Sequence, residues 1–390
     1  MANISFISIE FPAGGTERVT INLARPLTDM GHKIYLFVYK LDKEKLPANL
    51  PIEYIELPYP SNNAQNFDTI VEAITRYNIE VFFSPAIYPR FMPKLYATGL
   101  CKIVHVLHSC PFYEDIAQWH NIMHPNKGSL KSIVKNYLIR YPKYKLGYYH
   151  RRTLRHYKRK YANVDAYGVL FDTYGRQIAS TLGVDYASSK LVTLRNPIEP
   201  CKQCDNPVER EKIVAYVGRL SRYDKRVDRL LDVWHRLHAK FPEWRLWIVG
   251  SGDDRPALEE YAAQNNLCNV EFLGYRSEVD DIYRKVSIVC LTSNFEGCPM
   301  VLLEAQEYGC ATIAFECSSG VREILSPNMI NGACVPNGDI DAYTEALARL
   351  MEDDELRHTI QQNGVENAKS FAPQISAQQY NDLIERLLAK

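Results

Sequence analysis

Long apolar runs are missing from this 390-residue chain: none approaches the ~20 residues that a membrane-spanning helix needs. Net charge is missing too, because 46 Lys and Arg balance 46 Asp and Glu, which removes any global electrostatic case for nucleic-acid binding. The ten cysteines have no regular spacing. Cys201 and Cys204 are the single close pair, without a second Cys or His pair at zinc-finger distance, so reduced thiols in a cytosolic compartment are expected. Residues 2–10 lack the basic start and the apolar length of a signal peptide. Repeats and low-complexity tracts are absent as well. What remains is an ordinary globular composition in a chain long enough for two or three domains.

Short β-rich runs alternate with helical patterns throughout, which argues for parallel sheets built from βαβ units. Strands are expected over 4–9, 33–38, 81–84 and 102–107 in the first half. In the second half they are expected over 213–217, 245–249, 270–273, 288–291 and 311–315. Helices are expected between them over 17–30, 227–240 and 254–265, the first ending at Gly31 as a left-handed cap. Residues 196–212 hold Pro197, Pro200 and Pro207 among polar residues with no clear period, and read as a linker. The division is therefore an N-terminal α/β domain over 1–198, a C-terminal one over 199–373 and a separate final helix over 374–390.

The segment from Phe295 to Ala305 carries the densest chemistry. Pro299 suits the first position of a helix, with Glu296 in the loop before it and Glu304 along it. Free N–H groups at a helix start favour an anion, and carboxylates accept protons from sugar hydroxyls. Phosphate and sugar together describe a nucleotide sugar; the alternative is a buried helix with solvated glutamates. Gly14-Gly15 opens the first helix, and Gly218, with Arg219 and Lys225 after it, follows the first strand of the second half. Such glycines let a ligand approach the backbone, and two cations there can clamp a diphosphate. Gly250 and Gly252 end the next strand. Each feature alone also reads as a tight turn or a solvated charge, but together they put a ligand in a cleft between two α/β domains.

In that order these residues resemble the retaining, family 4 type of GT-B glycosyltransferase. The resemblance covers nearly the whole chain and continues through Phe272-Leu273-Gly274, Gly320-Val321-Arg322-Glu323-Ile324 and residues 331–336. It implies two Rossmann-like domains, with the final helix crossing back to the first. It also implies that Arg219 and Lys225 hold the donor diphosphate and that Glu304 binds the ribose. Glu296 would bind the donor sugar's hydroxyls, with Gly297, Cys298, Pro299, Met300 and Val301 lining the sugar and phosphates. His108 would stand beside the reacting centre. Two positions depart from the pattern. Arg226 replaces a glycine or small polar residue and is expected to leave the site unchanged, whereas Cys298 replaces a common aromatic and bears on which sugar fits.

Retention without an obvious nucleophile implies a front-face reaction, in which a donor phosphate oxygen takes the acceptor proton. Arg219 and Lys225 then stabilise the leaving diphosphate. No metal or other cofactor is expected on this account. Asp339-Ile340-Asp341 spells a metal-binding DxD, but it precedes a helical pattern in which Asp341 reads as the N-cap. A UDP-sugar is the expected donor, because this version of the segment resembles relatives that build surface polysaccharide from UDP-hexoses. A sugar-nucleotide epimerase and a catalytically silent sugar-nucleotide or lipid-binding protein are the alternatives.

Zero net charge conceals an asymmetry. Residues 116–164 hold twelve Lys or Arg, seven Tyr and no acid, leaving a formal −12 elsewhere. Leu130, Ile133, Val134, Tyr137, Leu138 and Tyr141 fall on one helical face, with Lys131, Lys135 and Arg140 off it. A second helix over 144–161 carries Arg151, Arg152, Arg155, Lys158, Arg159 and Lys160. The apolar face either packs on the N-terminal domain or meets an anionic membrane, and nucleic acid lacks a supporting motif. Many relatives act on polyprenyl-diphosphate-linked acceptors at the cytoplasmic face. The resemblance therefore implies a peripheral membrane enzyme whose basic helices hold that diphosphate.

Overall fold

The structure is a computed structural model that describes residues 1–12, 14–58, 65–123, 134–201 and 210–389. Two compact units make it up, Met1–Pro197 with Pro373–Lys390 and Ile198–Ala372. Among the described residues the first unit contains β1 (Asn3–Phe11), β2 (Lys33–Leu41), β3 (Glu53–Glu56), β4 (Val81–Pro85), β5 (Lys102–Leu107), β6 (Ala166–Val169) and β7 (Leu191–Thr193). They form one parallel sheet in the order β3-β2-β1-β4-β5-β6-β7. The second unit contains β8 (Glu211–Val217), β9 (Arg245–Val249), β10 (Val270–Gly274), β11 (Val286–Leu291), β12 (Ala311–Glu316) and β13 (Ala333–Pro336). Its order is β10-β9-β8-β11-β12-β13, again all parallel. Each order reverses beside its first strand, so both units are Rossmann-like.

The sequence explains why these strands sit where they do. Parallel strands covered by helices bury both faces, so they need continuous apolar runs rather than alternation. Every residue of β11 is buried, as are the consecutive residues Ile34 to Tyr39 of β2. In the second unit Trp234 and Trp244 lie fully buried beside Leu246 and Ile248, and the Trp234 indole N–H donates to the Cys268 carbonyl at 3.0 Å. The first helix spans Gly15–Asp29 and ends before Gly31, whose φ of +91° is the expected left-handed turn.

Helix Pro373–Leu388 belongs to the first unit. Its Tyr380 ring lies 5.3 Å from Phe83 and 6.5 Å from Phe6, while Asn381 meets His32 at 2.9 Å. The final helix therefore does return to the first unit.

Four expectations need correction. Pro299 is the N-cap of helix Met300–Glu307 rather than its first residue. Asp339, not Asp341, caps helix Ile340–Glu352 by accepting the Ala342 N–H at 3.0 Å, and Asp341 pairs with Arg236. Cys201 is disulfide-bonded, so the expectation of uniformly reduced thiols fails there; the other described cysteines form no disulfide. The single helical face expected over 130–141 is not kept over its described residues, Leu130 and Ile133 lying outside them. Residues Asn136–Arg140 form a π-turn, whose wider pitch breaks the 3.6-residue register on which that face was drawn. Asn136 is the buried residue, at 1% exposed, while Val134, Tyr137 and Leu138 are 48%, 65% and 72% exposed.

Replacing Tyr380 tests the docking of the final helix. Tyr380→Ala is expected to cost the first unit about 3 kcal/mol in urea denaturation, and Tyr380→Phe less than about 1 kcal/mol. Equal losses for the two would mean that ring packing does not hold the helix.

Candidate functional site

Arg219, Lys225, Glu296 and Glu304 all lie in the second unit, on segments that follow β8 and β11. The loops after β8 and β9 lock together through their backbones: Gly218 N–H donates to Val249 at 2.9 Å, and Leu220 N–H donates to Ser251 at 2.9 Å. A Cβ on Gly250 would lie 1.8 Å from the Gly218 carbonyl oxygen, and one on Gly252 would lie 2.1 Å from that of Leu220. These two glycines are thus required by loop-to-loop contact, a reason that sequence reading had assigned to a ligand.

The 223–225 backbone is tied to the loop after β11. Asn294 donates its N–H to the Asp224 carbonyl and its side-chain amide to Tyr223, both at 2.7 Å. The Thr292 hydroxyl donates to the Lys225 carbonyl at 3.2 Å. This brings the Lys225 ammonium to Glu296 at 2.7 Å, and the Ser293 hydroxyl donates to the same carboxylate oxygen at 2.6 Å. Arg219 pairs with Asp224, although Arg219 is mostly exposed and Asp224 is buried. Burial would raise the Asp224 carboxyl pKa, but the Ser221 hydroxyl and the Arg219 and Lys225 charges together hold it below its ordinary value. Further along, the Tyr283 hydroxyl donates to Glu304 at 3.1 Å. Tyr283 and Asp224 give no motif in the sequence; only the fold brings them to the cations and carboxylates. Arg226 adopts a left-handed φ of +50° as the N-cap of helix Val227–Leu237, with its guanidinium 2.9 Å from Asp228. Such a conformation costs a non-glycine residue about 1 kcal/mol or more.

In the first unit Gly14 caps helix Gly15–Asp29 with φ +108°. A Cβ there would lie 2.7 Å from the Glu17 carboxylate, which also accepts the Ser8 hydroxyl at 2.8 Å. The positive end of this helix is therefore already matched by its own acid. His108 follows β5, with its Nε2 buried and without a hydrogen-bond partner; burial pulls its pKa down to about 4. His105, which sequence reading missed, is fully buried inside β5 and holds the Ser84 carbonyl at 2.9 Å. Its ring is 5.2 Å from both Tyr88 and Tyr167, and burial first, then the Lys160 charge, lowers its pKa to about 3.

The basic segment is anchored by acids just before it. Asp115, on helix Tyr113–Met123, accepts the Thr153 hydroxyl at 2.7 Å and meets His150 at 2.8 Å. The buried Tyr157 hydroxyl accepts the Phe112 N–H at 2.9 Å. These contacts turn Thr153 and Tyr157 of helix Tyr148–Ala162 inward and leave Arg151, Arg152, Arg155, Lys158 and Arg159 exposed. Trp119 packs 4.8 Å from Tyr144. Lys135 is exposed, Arg140 donates to Asn136 at 2.9 Å, and Lys131 lies outside the described residues.

Two parallel Rossmann-like units of this order define the GT-B class of fold. Residues 202–367, within the second unit, match the family model described as glycosyl transferases group 1. The amylovoran biosynthesis glycosyltransferase AmsD of Erwinia amylovora is 32% identical over 172 residues, 44% of this chain and 47% of that protein. The GalNAc-alpha-(1->4)-GalNAc-alpha-(1->3)-diNAcBac-PP-undecaprenol alpha-1,4-N-acetyl-D-galactosaminyltransferase of Campylobacter jejuni is 28% identical over 167 residues, 43% of this chain and 46% of that protein. The matched part thus spans about half the length of these relatives. A crystal structure of Anabaena HepE in complex with UDP is similar over 99% of this chain and 100% of its own, with a TM-score of 0.75 at 16% identity.

The buried histidines set a pH dependence. With folded values of about 3 and 4 for His105 and His108, against an ordinary value near 6.5, the unfolded chain takes up protons first as pH falls. Stability of the first unit should therefore drop from about pH 6.5 downward, by about 2 kcal/mol from His105 alone on reaching pH 5. Urea titrations at both pH values should show this slope flattened in His105→Asn; an unchanged slope would mean that other groups cause it.

Proposed function

We propose that the protein is a retaining, metal-independent glycosyltransferase. It moves a hexose-type sugar from a nucleotide-diphosphate donor, a UDP-sugar, to a polyprenyl-diphosphate-linked glycan in bacterial surface polysaccharide synthesis. The observation that carries this reading is the Lys225–Glu296 pair at 2.7 Å with Arg219 on the same loop: cations for a diphosphate beside a carboxylate for sugar hydroxyls. When a donor binds, its phosphates draw Lys225 and Arg219 from their carboxylate partners, and Glu296 then accepts hydrogen bonds from the sugar. Glu304, steadied by Tyr283, accepts from the ribose hydroxyls. In the transition state negative charge grows on the leaving diphosphate, where the two cations stabilise it, and the departing oxygen takes the acceptor proton. Binding of UDP by the HepE structure and the undecaprenol-linked substrate in the Campylobacter enzyme's name support the choice of donor and acceptor.

The acceptor end of the reading rests on the basic helices, acting at the cytoplasmic membrane face. Tyr113, Ile116, Met123, Val134, Tyr137, Leu138, Ile139, Leu146 and Tyr148 are exposed large apolar side chains within the same stretch as the exposed cations. Interleaved apolar and cationic groups suit the interface of an anionic bilayer. Among the described residues no helix is long and apolar enough to cross a membrane.

Two experiments test these halves separately. A panel of UDP, GDP and ADP sugars in thermal-shift assays should give stabilisation by a UDP-sugar, and Lys225→Ala should lower transfer by at least about 100-fold. Stabilisation by none of the panel, or sugar interconversion without an acceptor, would overturn the transferase reading. For the membrane, neutralising Arg151, Arg152 and Arg155 together should reduce flotation with anionic vesicles on the order of 100-fold, at about 1 kcal/mol per cation. Equal flotation with neutral and anionic vesicles would reject it.

A further inference from the structure

Helices Tyr113–Met123 and Tyr148–Ala162 border a solvent-open cavity of about 390 Å³ lined by Glu114, Gln118, Tyr149, Arg152, Thr153, His156 and Lys160. A second hollow of about 310 Å³ is lined by Tyr148, Arg152, Arg155, His156 and Arg159. Both volumes fall in the range of small-molecule sites, roughly 300–1,000 Å³. They share Arg152 and His156, so they adjoin.

Their chemistry differs. The larger cavity mixes charges of both signs with neutral hydrogen-bonding groups. One Glu114 carboxylate oxygen is buried without a hydrogen-bond partner. The Lys160 amine lies among aromatic rings, 5.9 Å from the centre of Tyr88 and 5.7 Å from that of Tyr157. Burial depresses the Lys160 pKa, and the Glu114 charge only partly restores it. Among the described residues, Glu114, Arg152 and Lys160 form no ion pair, and the Gln118 and His156 side chains form no hydrogen bond. Behind the cavity, Tyr88, His105, His108 and Tyr167 also carry buried polar atoms without partners. Buried polar groups are costly unless satisfied, so such a concentration is the mark of a ligand's place. The smaller hollow, by contrast, has arginines, a histidine and a tyrosine, and no carboxylate.

We propose that the paired hollows bind a sugar joined to phosphate, the glycosyl-phosphate end of the acceptor, which rests on the transferase reading above. A phosphate alone is disfavoured in the larger cavity, where Glu114 would repel it. A polyol satisfies Glu114 as a donor and Lys160 and Gln118 as an acceptor, with the Tyr149 ring available to its C–H face. The phosphate then falls in the smaller hollow, between Arg152, Arg155 and Arg159, where charge-assisted hydrogen bonds hold it. Leu146 and Tyr148, exposed next to this hollow in sequence, leave the side of the phosphate remote from the sugar beside apolar surface.

Calorimetric titration of the full chain with glucose 1-phosphate, glucose, inorganic phosphate and citronellyl diphosphoglucose tests the proposal. Glucose 1-phosphate should bind about tenfold or more tighter than either fragment, and the citronellyl compound at least as tightly as glucose 1-phosphate. Glu114→Gln should weaken the sugar phosphates about tenfold and leave inorganic phosphate unchanged, whereas Arg152→Gln, at an exposed position, should weaken all phosphate-bearing probes. Inorganic phosphate binding as tightly as glucose 1-phosphate, or sugar-phosphate binding that persists in both variants, would overturn the site. Weaker binding of the citronellyl compound would overturn its assignment to a lipid-linked acceptor. UDP-sugar stabilisation, measured separately on the same variants, shows whether a failure belongs to this site or to the donor reading.

Discussion

Parallel strand pairing is the constraint on which everything else in this molecule depends. In a parallel sheet all strands point the same way, so every strand ends at one edge and every crossover helix returns the chain to the other. Residues far apart in sequence are therefore delivered to a common edge without any local signal that they belong together. In the second unit this brings the 218–226 loop, the Gly250–Gly252 turn and the 292–300 loop to the ends of β8, β9 and β11. Side-chain and backbone bonds from Thr292, Ser293 and Asn294 then fix the Lys225–Glu296 pair.

That edge must also be compact, and compactness explains what the glycines do. The loops after β8 and β9 exchange backbone hydrogen bonds so closely that a Cβ on Gly250 or Gly252 would overlap a carbonyl oxygen. The glycines hold the platform together, and charged side chains are mounted on it. Gly14 is used differently again, since its left-handed conformation starts a helix whose first turn is matched by Glu17.

The sequence was most legible where physics is local and repetitive. The β-rich runs 102–107 and 245–249 are strands with those same bounds, because buried parallel strands are apolar at most positions rather than at alternate ones. Glu53–Glu56, Ala166–Val169 and Leu191–Thr193 escaped because strands of three or four residues contain too few positions to show a pattern. The 130–141 face misled for a sharper reason: periodicity assumes one pitch, and the π-turn over Asn136–Arg140 changes the pitch inside the window. Motif reading singled out Arg219, Lys225, Glu296 and Glu304, which the fold gathers on the segments after β8 and β11. It could not find Asp224 or Tyr283, whose roles exist only through folded proximity.

The two units treat charge in opposite ways, and the difference has consequences for how each meets an anion. In the second unit the cations are already neutralised: Arg219 by Asp224, Lys225 by Glu296 and Arg226 by Asp228. An incoming anion must displace carboxylates there, so only a ligand that offers a replacement for what it breaks gains much. A diphosphate that also presents hydroxyls to the freed glutamate does so, whereas a simple anion leaves a half-buried carboxylate unpaired. In the first unit, among the described residues, the exposed arginines of helix Tyr148–Ala162 form no ion pair, and the only carboxylate beside them in the adjoining cavity is Glu114. Anions are attracted there directly, and that attraction fades with salt over a Debye length of about 10 Å at 0.1 M. On the transferase reading, selectivity in the second unit comes from exchange of ion pairs. On the sugar-phosphate proposal, selectivity in the first unit falls to the groups around Glu114 and Lys160, where shape and hydrogen bonding add to charge.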